Sequence, residues 1–158
     1  WLRWDQTMLT QNIRALNPDL IVLVYGTNEA ADTSYAMERY ADDLRAMLRR
    51  MREASPDAAC VMVGPTDRVK RVDDQRFAVW GRTAEVARVQ REVAPELGCV
   101  FWDWQEAMGG PGSILGWRMQ EPSLASADYI HLSQRGYEVS SDMFLAALKD
   151  ATERTAWR

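Results

Sequence analysis

The chain has one histidine, His131, and it lies three residues after Asp128. In an extended-to-turn segment this spacing can bring the carboxylate of Asp128 onto one ring nitrogen of His131 and set the tautomer of the imidazole. The other ring nitrogen is then available as a general base. The structural alternative is that Asp128 is a loop carboxylate, that His131 leads into a helix, and that Ser133 is the N-cap of that helix. From this segment alone both interpretations stay open.

A second candidate for chemistry is Asn28, which follows an apolar run of the chain. Its side-chain amide is a neutral donor that can stabilise a developing oxyanion without titrating. The alternative is a plain turn, since Gly and Asn tolerate positive φ and bond their own backbone. The flanking residues that would contact substrate in the functional interpretation are Gly26, Thr27 and Glu29. Glu29 is equally typical of a solvent-exposed turn.

Composition excludes several other kinds of site. Two cysteines and one histidine are too few for the usual Cys/His zinc sites, and no acidic cluster has the spacing of an ion-binding loop. We therefore expect neither a metal nor a cofactor. The net charge of −4 argues against a nucleic-acid partner. No apolar run approaches the roughly 20 residues of a membrane span.

Three proline-containing junctions predict the helices and strands that position these residues. Pro18, Pro56 and Pro95 lie 38 and 39 residues apart, and each precedes a short apolar run. Because proline cannot continue a helix, each junction predicts a helix end, a short turn and a strand. The three runs do not alternate, which is typical of strands covered on both faces of a parallel sheet. They are Leu20–Tyr25, Ala58–Val63 and Cys99–Asp103.

Helical spacing fills the intervals between these strands. A first helix is predicted over Leu2–Leu16, a second from Met37 to Met51, and a last one from about Ser133 to Ala151. Another helix is indicated between the second and third strands by the spacing of Phe77, Trp80, Ala84, Ala87 and Arg91. Alternating strands and helices predict an open α/β sheet with right-handed crossovers, and the length predicts a single domain over residues 1–158.

The segment between Asp103 and the last helix is rich in Gly, Pro and Ser, and we expect a long irregular loop with one helical turn around Ile114–Met119. Such loops are often functional, and this one begins at the carboxyl end of a strand, where open α/β sheets bind ligands. Trp104 would stack on a sugar there or pack against the loop. Cys60 and Cys99 lie near the starts of neighbouring strands. A disulfide between them is conceivable, but buried thiols are the commoner state and are expected.

The paired blocks around Asn28 and His131 resemble the SGNH (GDSL) hydrolases. The resemblance rests on Gly26-x-Asn28 after a strand, on Asp128-x-x-His131-Leu132-Ser133 with Gly136-Tyr137, and on Gly64-Pro65 after the second strand. It implies a three-layer α/β/α fold with a flavodoxin-like parallel sheet, and ester hydrolysis through an acyl-serine. It also implies Asp128 and His131 as triad members and Asn28 in the oxyanion hole. The stretch Phe101–Gly110 is similar to exported bacterial members that remove acetyl groups from peptidoglycan or other polysaccharides, which implies a periplasmic or extracellular location.

One departure from this pattern concerns the nucleophile. The family carries its serine in an N-terminal Gly-Asp-Ser block, which this sequence lacks, and its eight serines stand in other contexts. We therefore expect the C-terminal two thirds to three quarters of the family fold, without its first one or two strands, and a partner in the missing N-terminal segment. Leu20–Tyr25 would then be an exposed apolar edge. The chain by itself should have no turnover on its small-molecule or polysaccharide ester.

Two other functions compete with an ester hydrolase. A non-catalytic carbohydrate-binding or structural module could have kept the sheet and lost the nucleophile. A nucleotide-binding α/β domain would need a Gly-rich phosphate loop after its first strand, and residues 26–29 do not form one.

Overall fold

The structure is a computed structural model that describes residues 5–155 of the chain. Contacts divide these residues into two compact units, and each is described by itself. The first unit draws on Trp1–Pro65 and Arg82–Asp103, and the second on Thr66–Gly81 and Trp104–Arg158. No helix within residues 5–155 is long and apolar enough to cross a membrane.

Helices and strands follow one another in the predicted alternation over most of the chain. In chain order they are α1 (Gln6–Leu16), β1 (Leu20–Val24), α2 (Thr27–Ala31), α3 (Met37–Ala54), β2 (Ala59–Val63), β3 (Val69–Arg71), β4 (Phe77–Val79), α4 (Gly81–Glu96), β5 (Val100–Trp102), α5 (Trp104–Ala107), α6 (Ser113–Arg118) and α7 (Gln134–Thr155). The first helix is therefore found from Gln6 onward. Residues 2–4 of its predicted range lie outside the described residues.

The first unit is built on a parallel sheet with the strand order β1-β2-β5. Strands β1 and β2 pair from Leu20 opposite Ala59 to Val24 opposite Val63, and β5 continues the sheet on the other side of β2. All three strands begin within two residues of the predicted runs, so the junction analysis is confirmed. The one local difference is that Pro95 lies inside the last turn of α4. The α/β class with a parallel sheet flanked by helices is likewise confirmed.

The core of the first unit lies on one face of this sheet. Leu23 and Met62 are register partners, so their side chains share that face, and both are buried in one cluster with residues of α3 and α4. The buried residues of α3 recur at helical spacing, which explains why this helix could be predicted from the sequence. They are Tyr40, Leu44, Met47, Leu48, Met51 and Ala54.

The other face of the sheet is exposed at β1, as expected for an apolar edge strand, although coverage of this strand on both faces was also predicted. In β2 the consecutive residues Val61, Met62 and Val63 are all buried, as expected for a strand covered on both faces. In β1, by contrast, Leu20, Val22 and Val24 are 37%, 39% and 56% exposed. The reason is topological, because β1 is an edge strand of the sheet formed by residues 5–155 and has a neighbour on one side only.

The second unit contains a β-hairpin that the sequence analysis missed. Strands β3 and β4 pair antiparallel, with Val69 opposite Val79 and Arg71 opposite Phe77. Phe77 was assigned to a helix and instead lies in β4, while Trp80 precedes α4, which begins at Gly81. The error arose because the tertiary pairing of two three-residue strands overrides a helical spacing that Phe77 and Trp80 share with later residues.

The loop after Asp103 is held by a buried carboxylate. Asp67 is fully buried and accepts hydrogen bonds from the Gln105 side-chain amide at 2.8 Å and the Ile114 backbone N–H at 2.9 Å. These bonds tie α5 and α6 to the chain segment that leads into β3. The predicted helical turn at Ile114–Met119 corresponds to α6. The segment also contains α5, a second helical turn that was not predicted, and is otherwise largely irregular.

The two cysteines form a disulfide rather than the buried thiols that we expected. Cys60 and Cys99 are bridged, with Cα atoms 4.5 Å apart. Both side chains are buried, at 4% and 2% exposure. The physical reason is the parallel pairing of β2 with β5, which places the two residues side by side at the amino ends of adjacent strands. Sequence spacing alone did not decide between the two states.

Removing this bridge should destabilise the fold. The double substitution Cys60→Ala with Cys99→Ala is expected to lower the free energy of unfolding by about 3–4 kcal/mol, because the bridge closes a 39-residue loop in the unfolded chain. Urea denaturation with and without reductant measures this loss. Reductant should move the wild-type midpoint toward that of the double variant and leave the variant unchanged. A loss well under 1 kcal/mol, or a reductant-insensitive wild type, contradicts the expectation.

Candidate active site

A single tight turn joins Asp128 to His131. Oδ2 of Asp128 lies 2.6 Å from Nδ1 of the His131 ring. Oδ1 of the same carboxylate accepts the backbone N–H groups of Ile130 at 2.9 Å and His131 at 3.0 Å. Since an ionised carboxylate only accepts hydrogen bonds, Nδ1 carries the proton in the neutral ring and the lone pair lies on Nε2. An imidazole held in this way can take up a proton at Nε2.

The electrostatics of the pair keep the carboxylate ionised. Partial burial by itself would raise the pKa of Asp128, but the hydrogen bonds from the His131 ring and from two backbone amides outweigh burial and lower this pKa to about 2. The side chain of His131 is 67% exposed, and its Nε2 makes no hydrogen bond to the part of the chain that the structure describes. The ring therefore presents an accessible basic nitrogen.

Neighbouring segments hold the turn in shape. The backbone N–H of Ser126 donates to the carbonyl of His131 at 2.8 Å, and Ala125 forms an isolated antiparallel bridge with Leu132. At the tip of the turn Tyr129 has a positive φ of 57°, a conformation that non-glycine residues rarely adopt. Its ring lies 4.6 Å from that of Phe77 in β4, centroid to centroid. The hairpin that the sequence analysis missed thus supports the turn.

Three residues after His131 the chain enters α7, at Gln134. The hydroxyl oxygen of Ser133 accepts the backbone N–H of Gly136 at 3.1 Å, so Ser133 is the N-cap of this helix. Gly136 is needed because a Cβ there would lie 1.9 Å from the carbonyl oxygen of Leu124. Capping by Ser133 and pairing of Asp128 with His131 coexist, so the two interpretations of this segment are not exclusive.

Asn28 belongs to the first unit, in the first turn of the short helix α2 just beyond the carboxyl end of β1. Its side chain is exposed and makes no hydrogen bond to a described residue. Gly26, the N-cap of this helix, has φ 123° and lies so close to its neighbours that a Cβ would be 2.9 Å from Cδ of Pro65. Thr27 is half-buried in the same helical turn. The segment is therefore a helix start rather than the plain turn considered from sequence.

Glu29 and Trp104 both have structural partners. A carboxylate oxygen of Glu29 accepts the backbone N–H of Gly26 at 3.1 Å, which caps α2. The indole N–H of Trp104, in the second unit, donates to the hydroxyl of the buried Ser140 at 3.0 Å, and its ring meets that of Tyr137 edge-on. Substrate contact by either side chain stays a prediction.

The described serines have other partners than His131. Seven of the eight side chains hydrogen-bond elsewhere, mostly to backbone carbonyls or to nearby carboxylates. They are Ser34, Ser113, Ser123, Ser126, Ser133, Ser140 and Ser141. The eighth, Ser55, follows the last residue of α3 at the amino end of the sheet. Among residues 5–155, no three His, Cys, Asp or Glu side chains are grouped as ligands for a metal ion.

The family is decided by a match to the sequence model of GDSL-like lipases and acylhydrolases, which extends over residues 2–139. The chain belongs to this family. No curated protein is similar enough in sequence to count as a match.

Solved structures share the fold. A peptidoglycan O-acetylesterase is 28% identical with a TM-score of 0.84, and the alignment covers 92% of this chain but 41% of that one. An α/β hydrolase enzyme from the metagenome of Lake Arreo, Spain, is 22% identical with a TM-score of 0.64, covering 90% of this chain and 65% of that one. An acetyl xylan esterase is 15% identical with a TM-score of 0.63, covering 89% and 72%. The chain thus spans less than half of the first of these proteins.

The lowered pKa of Asp128 can be measured directly. Carbon-13 NMR of the side-chain carboxyl should give a titration midpoint of about 2, below the ordinary 3.8. Because the pKa is depressed in the folded state, ionised Asp128 stabilises the fold above the ordinary pKa, and this contribution is lost as the pH falls from about 4 toward 2. In the variant His131→Gln the midpoint should rise. A wild-type midpoint at or above 3.8 contradicts the geometry of the pair.

Proposed function

We propose that this chain is part of a serine ester hydrolase that removes acyl groups, chiefly acetyl, from a carbohydrate, with a cell-wall polysaccharide as the natural substrate. The observation that carries the proposal is the 2.6 Å pair of Asp128 and His131, with an accessible Nε2, in a member of the GDSL-like lipase/acylhydrolase family. Acetyl esters of a polysaccharide are favoured because a peptidoglycan O-acetylesterase is 28% identical over 92% of this chain.

In this mechanism His131 serves as base and then as acid. Nε2 accepts the hydroxyl proton of a serine as its oxygen bonds to the ester carbonyl carbon, and then gives that proton to the departing sugar hydroxyl. The acyl-serine is hydrolysed when Nε2 takes a proton from water, whose oxygen attacks the acyl carbon. The bond from the acyl carbon to the serine oxygen then breaks, Nε2 returns the proton to that oxygen, and the carboxylic acid leaves. Asp128 stays ionised throughout, because its pKa is about 2, and stabilises the imidazolium. The side-chain amide of Asn28 donates a hydrogen bond to the oxyanion. The residues that contact the substrate in this proposal are Gly26, Thr27, Glu29 and Trp104.

The nucleophile in this proposal comes from outside the 158 residues. Each described serine whose hydroxyl makes a hydrogen bond has its partner elsewhere than on His131, and none follows a Gly-Asp pair. An imidazole that is oriented but has no hydroxyl to activate cannot form an acyl-enzyme. The proposal therefore includes the expectation that the 158-residue chain, prepared by itself, has no esterase activity.

The disulfide indicates the kind of compartment in which the protein acts. Disulfides persist in oxidising compartments and are rare in the reducing cytosol. The bridge between Cys60 and Cys99 therefore favours a periplasmic or extracellular site of action, where cell-wall polysaccharides are also found.

The 158-residue chain should hydrolyse p-nitrophenyl acetate no faster than its His131→Ala variant. A fluorophosphonate probe, which labels activated serines, should label neither protein, because no serine hydroxyl meets the ring. Release of p-nitrophenolate and mass spectrometry of the probe adduct make the two measurements. Turnover that depends on His131, or a labelled serine, would show that the nucleophile lies within these residues.

The hydrolase itself is tested on the longer reading frame that encodes this chain. We expect a Gly-Asp-Ser segment upstream and hydrolysis of acetylated polysaccharide by the encoded protein. There, Asn28→Ala should lower kcat by about 10²–10³-fold through loss of an oxyanion donor. The matched control is Ser141→Ala, whose hydroxyl donates to the carbonyl of Tyr137 and which should leave kcat unchanged. An upstream sequence without a serine block, or a protein with no esterase activity, favours a non-catalytic carbohydrate-binding module instead.

A further inference from the structure

Arg68 is a positive charge whose guanidinium has no hydrogen-bond acceptor among residues 5–155. Its Nε is buried from solvent and makes no hydrogen bond. Burial lowers the pKa of Arg68, and the nearby charge of Asp128 opposes this shift. Guanidinium groups are normally satisfied by carboxylates, phosphates or carbonyls when they lose water. An arginine left in this state is short of an anionic partner.

The backbone places Arg68 beside the Asp128–His131 turn. The N–H of Val69 donates to the carbonyl of Tyr129 at 3.4 Å, so the residues that precede these two, Arg68 and Asp128, lie at neighbouring positions. Asp128 nevertheless does not neutralise Arg68 through a hydrogen bond. Its two oxygens accept hydrogen bonds from two backbone amides and from the ring of His131 instead.

A second cation, Lys70, lies near the same aromatic ring as Arg68. The Cζ atom of Arg68 is 5.2 Å from the ring centroid of Trp80, and Nζ of Lys70 is 5.9 Å from the same centroid. The N–H of Trp80 donates to the carbonyl of Arg68 at 3.3 Å, which extends the pairing of β3 with β4 by one residue. Because residues two apart along an extended chain point to the same face, Arg68 and Lys70 both reach this ring. Neither cation forms an ion pair within the described part of the chain. A bound anion near this ring would be attracted by both positive charges.

We propose that Arg68, assisted by Lys70, binds a carboxylate carried by the saccharide substrate, next to the Asp128–His131 pair. The ester would then belong to an acidic sugar, with its carboxylate on the hairpin and its acyl group at His131. A carboxylate fits because the planar guanidinium can donate two parallel hydrogen bonds to its two oxygens, while Lys70 adds a point charge. This assignment rests on the proposed ester hydrolase and names the substrate class of that same site.

A purely structural or electrostatic role of Arg68 predicts something different. If Arg68 acted only through Asp128, the substitution Arg68→Gln would raise the titration midpoint of Asp128 in the absence of any ligand and would leave saccharide affinity unaltered. If Arg68 binds substrate, the variant loses affinity for acidic saccharides only. These two readouts separate the roles.

The experiment is an NMR titration of the 158-residue protein, which needs no turnover. The probes are methyl glucuronide, the neutral methyl glucoside, and methyl glucoside 6-sulfate, followed through the Nε–H of Arg68 and the ring of His131. The wild type should bind the glucuronide at least about 10-fold more tightly than the glucoside, as expected for charge-assisted hydrogen bonds. Arg68→Gln should abolish the difference, Arg68→Lys should retain part of it, and Lys70→Gln should reduce it.

The matched control is Arg76→Gln. Arg76 lies on the same hairpin but pairs with Asp73, its Nε 2.6 Å from Oδ2, so the glucuronide preference should persist in this variant. Equal affinity of the wild type for glucuronide and glucoside overturns the proposal, as does an Arg68→Gln variant that keeps the preference. Tighter binding of the sulfated sugar than of the glucuronide overturns the choice of a carboxylate. If Arg68→Gln does not fold, Arg68→Lys and Lys70→Gln decide in its place.

Failure of this inference and failure of the hydrolase are distinguishable. Binding of the glucuronide through Arg68 without esterase activity in the longer reading frame overturns the hydrolase and leaves an acidic-sugar binding site. Esterase activity without a glucuronide preference overturns the carboxylate site and leaves the hydrolase.

Discussion

The carboxylate of Asp128 accepts three hydrogen bonds within one turn, and the candidate site depends on that arrangement. Two bonds come from backbone amides and shape the turn, while the third comes from the ring of His131 and sets its tautomer. Shape and chemistry are thereby coupled, because the group that orients the imidazole also folds the loop that carries it. The bonds favour the ionised carboxylate, which explains why the pKa of Asp128 is low although the side chain is partly buried.

A second carboxylate, Asp67, organises the surroundings of that turn. It is fully buried, and its hydrogen bonds to Gln105 and Ile114 hold two short helices that would have little stability alone. The neighbouring hairpin supports the turn through the contact of Phe77 with Tyr129. Arg68 follows Asp67 in the chain, and its guanidinium, unlike either carboxylate, makes no hydrogen bond within residues 5–155. This unsatisfied cation is the observation behind the proposed carboxylate site.

The architecture of the first unit is explained by the general rules for parallel sheets. Its parallel strands need long connections, and the helices that supply them bury one apolar face against Leu23 and Met62. The disulfide between Cys60 and Cys99 joins two adjacent strands of the same sheet. At the carboxyl end of β1 the backbone at Gly26 adopts a φ of 123° in a place where no Cβ fits, and Asn28 follows with an exposed amide.

A structural feature could be predicted from the sequence where it depends on neighbouring residues in the chain. Prolines at the helix ends, unbroken apolar runs and the helical spacing in α3 are local, so the parallel sheet and most elements were predicted, and the three-residue spacing of Asp128 and His131 suggested their pairing. The hairpin of Val69–Val79, the bridge of the two cysteines and the burial of Asp67 depend on which distant segments meet. Their energies come from tertiary pairing and packing, which outweigh local preferences, as Phe77 shows by lying in a strand despite its helical spacing. The sequence alone determined the order of most helices and strands and the candidate pair of Asp128 and His131, because these depend on short-range patterns. Only the tertiary structure decided which distant residues pair, bridge or bury one another, because such contacts leave no short-range pattern in the sequence.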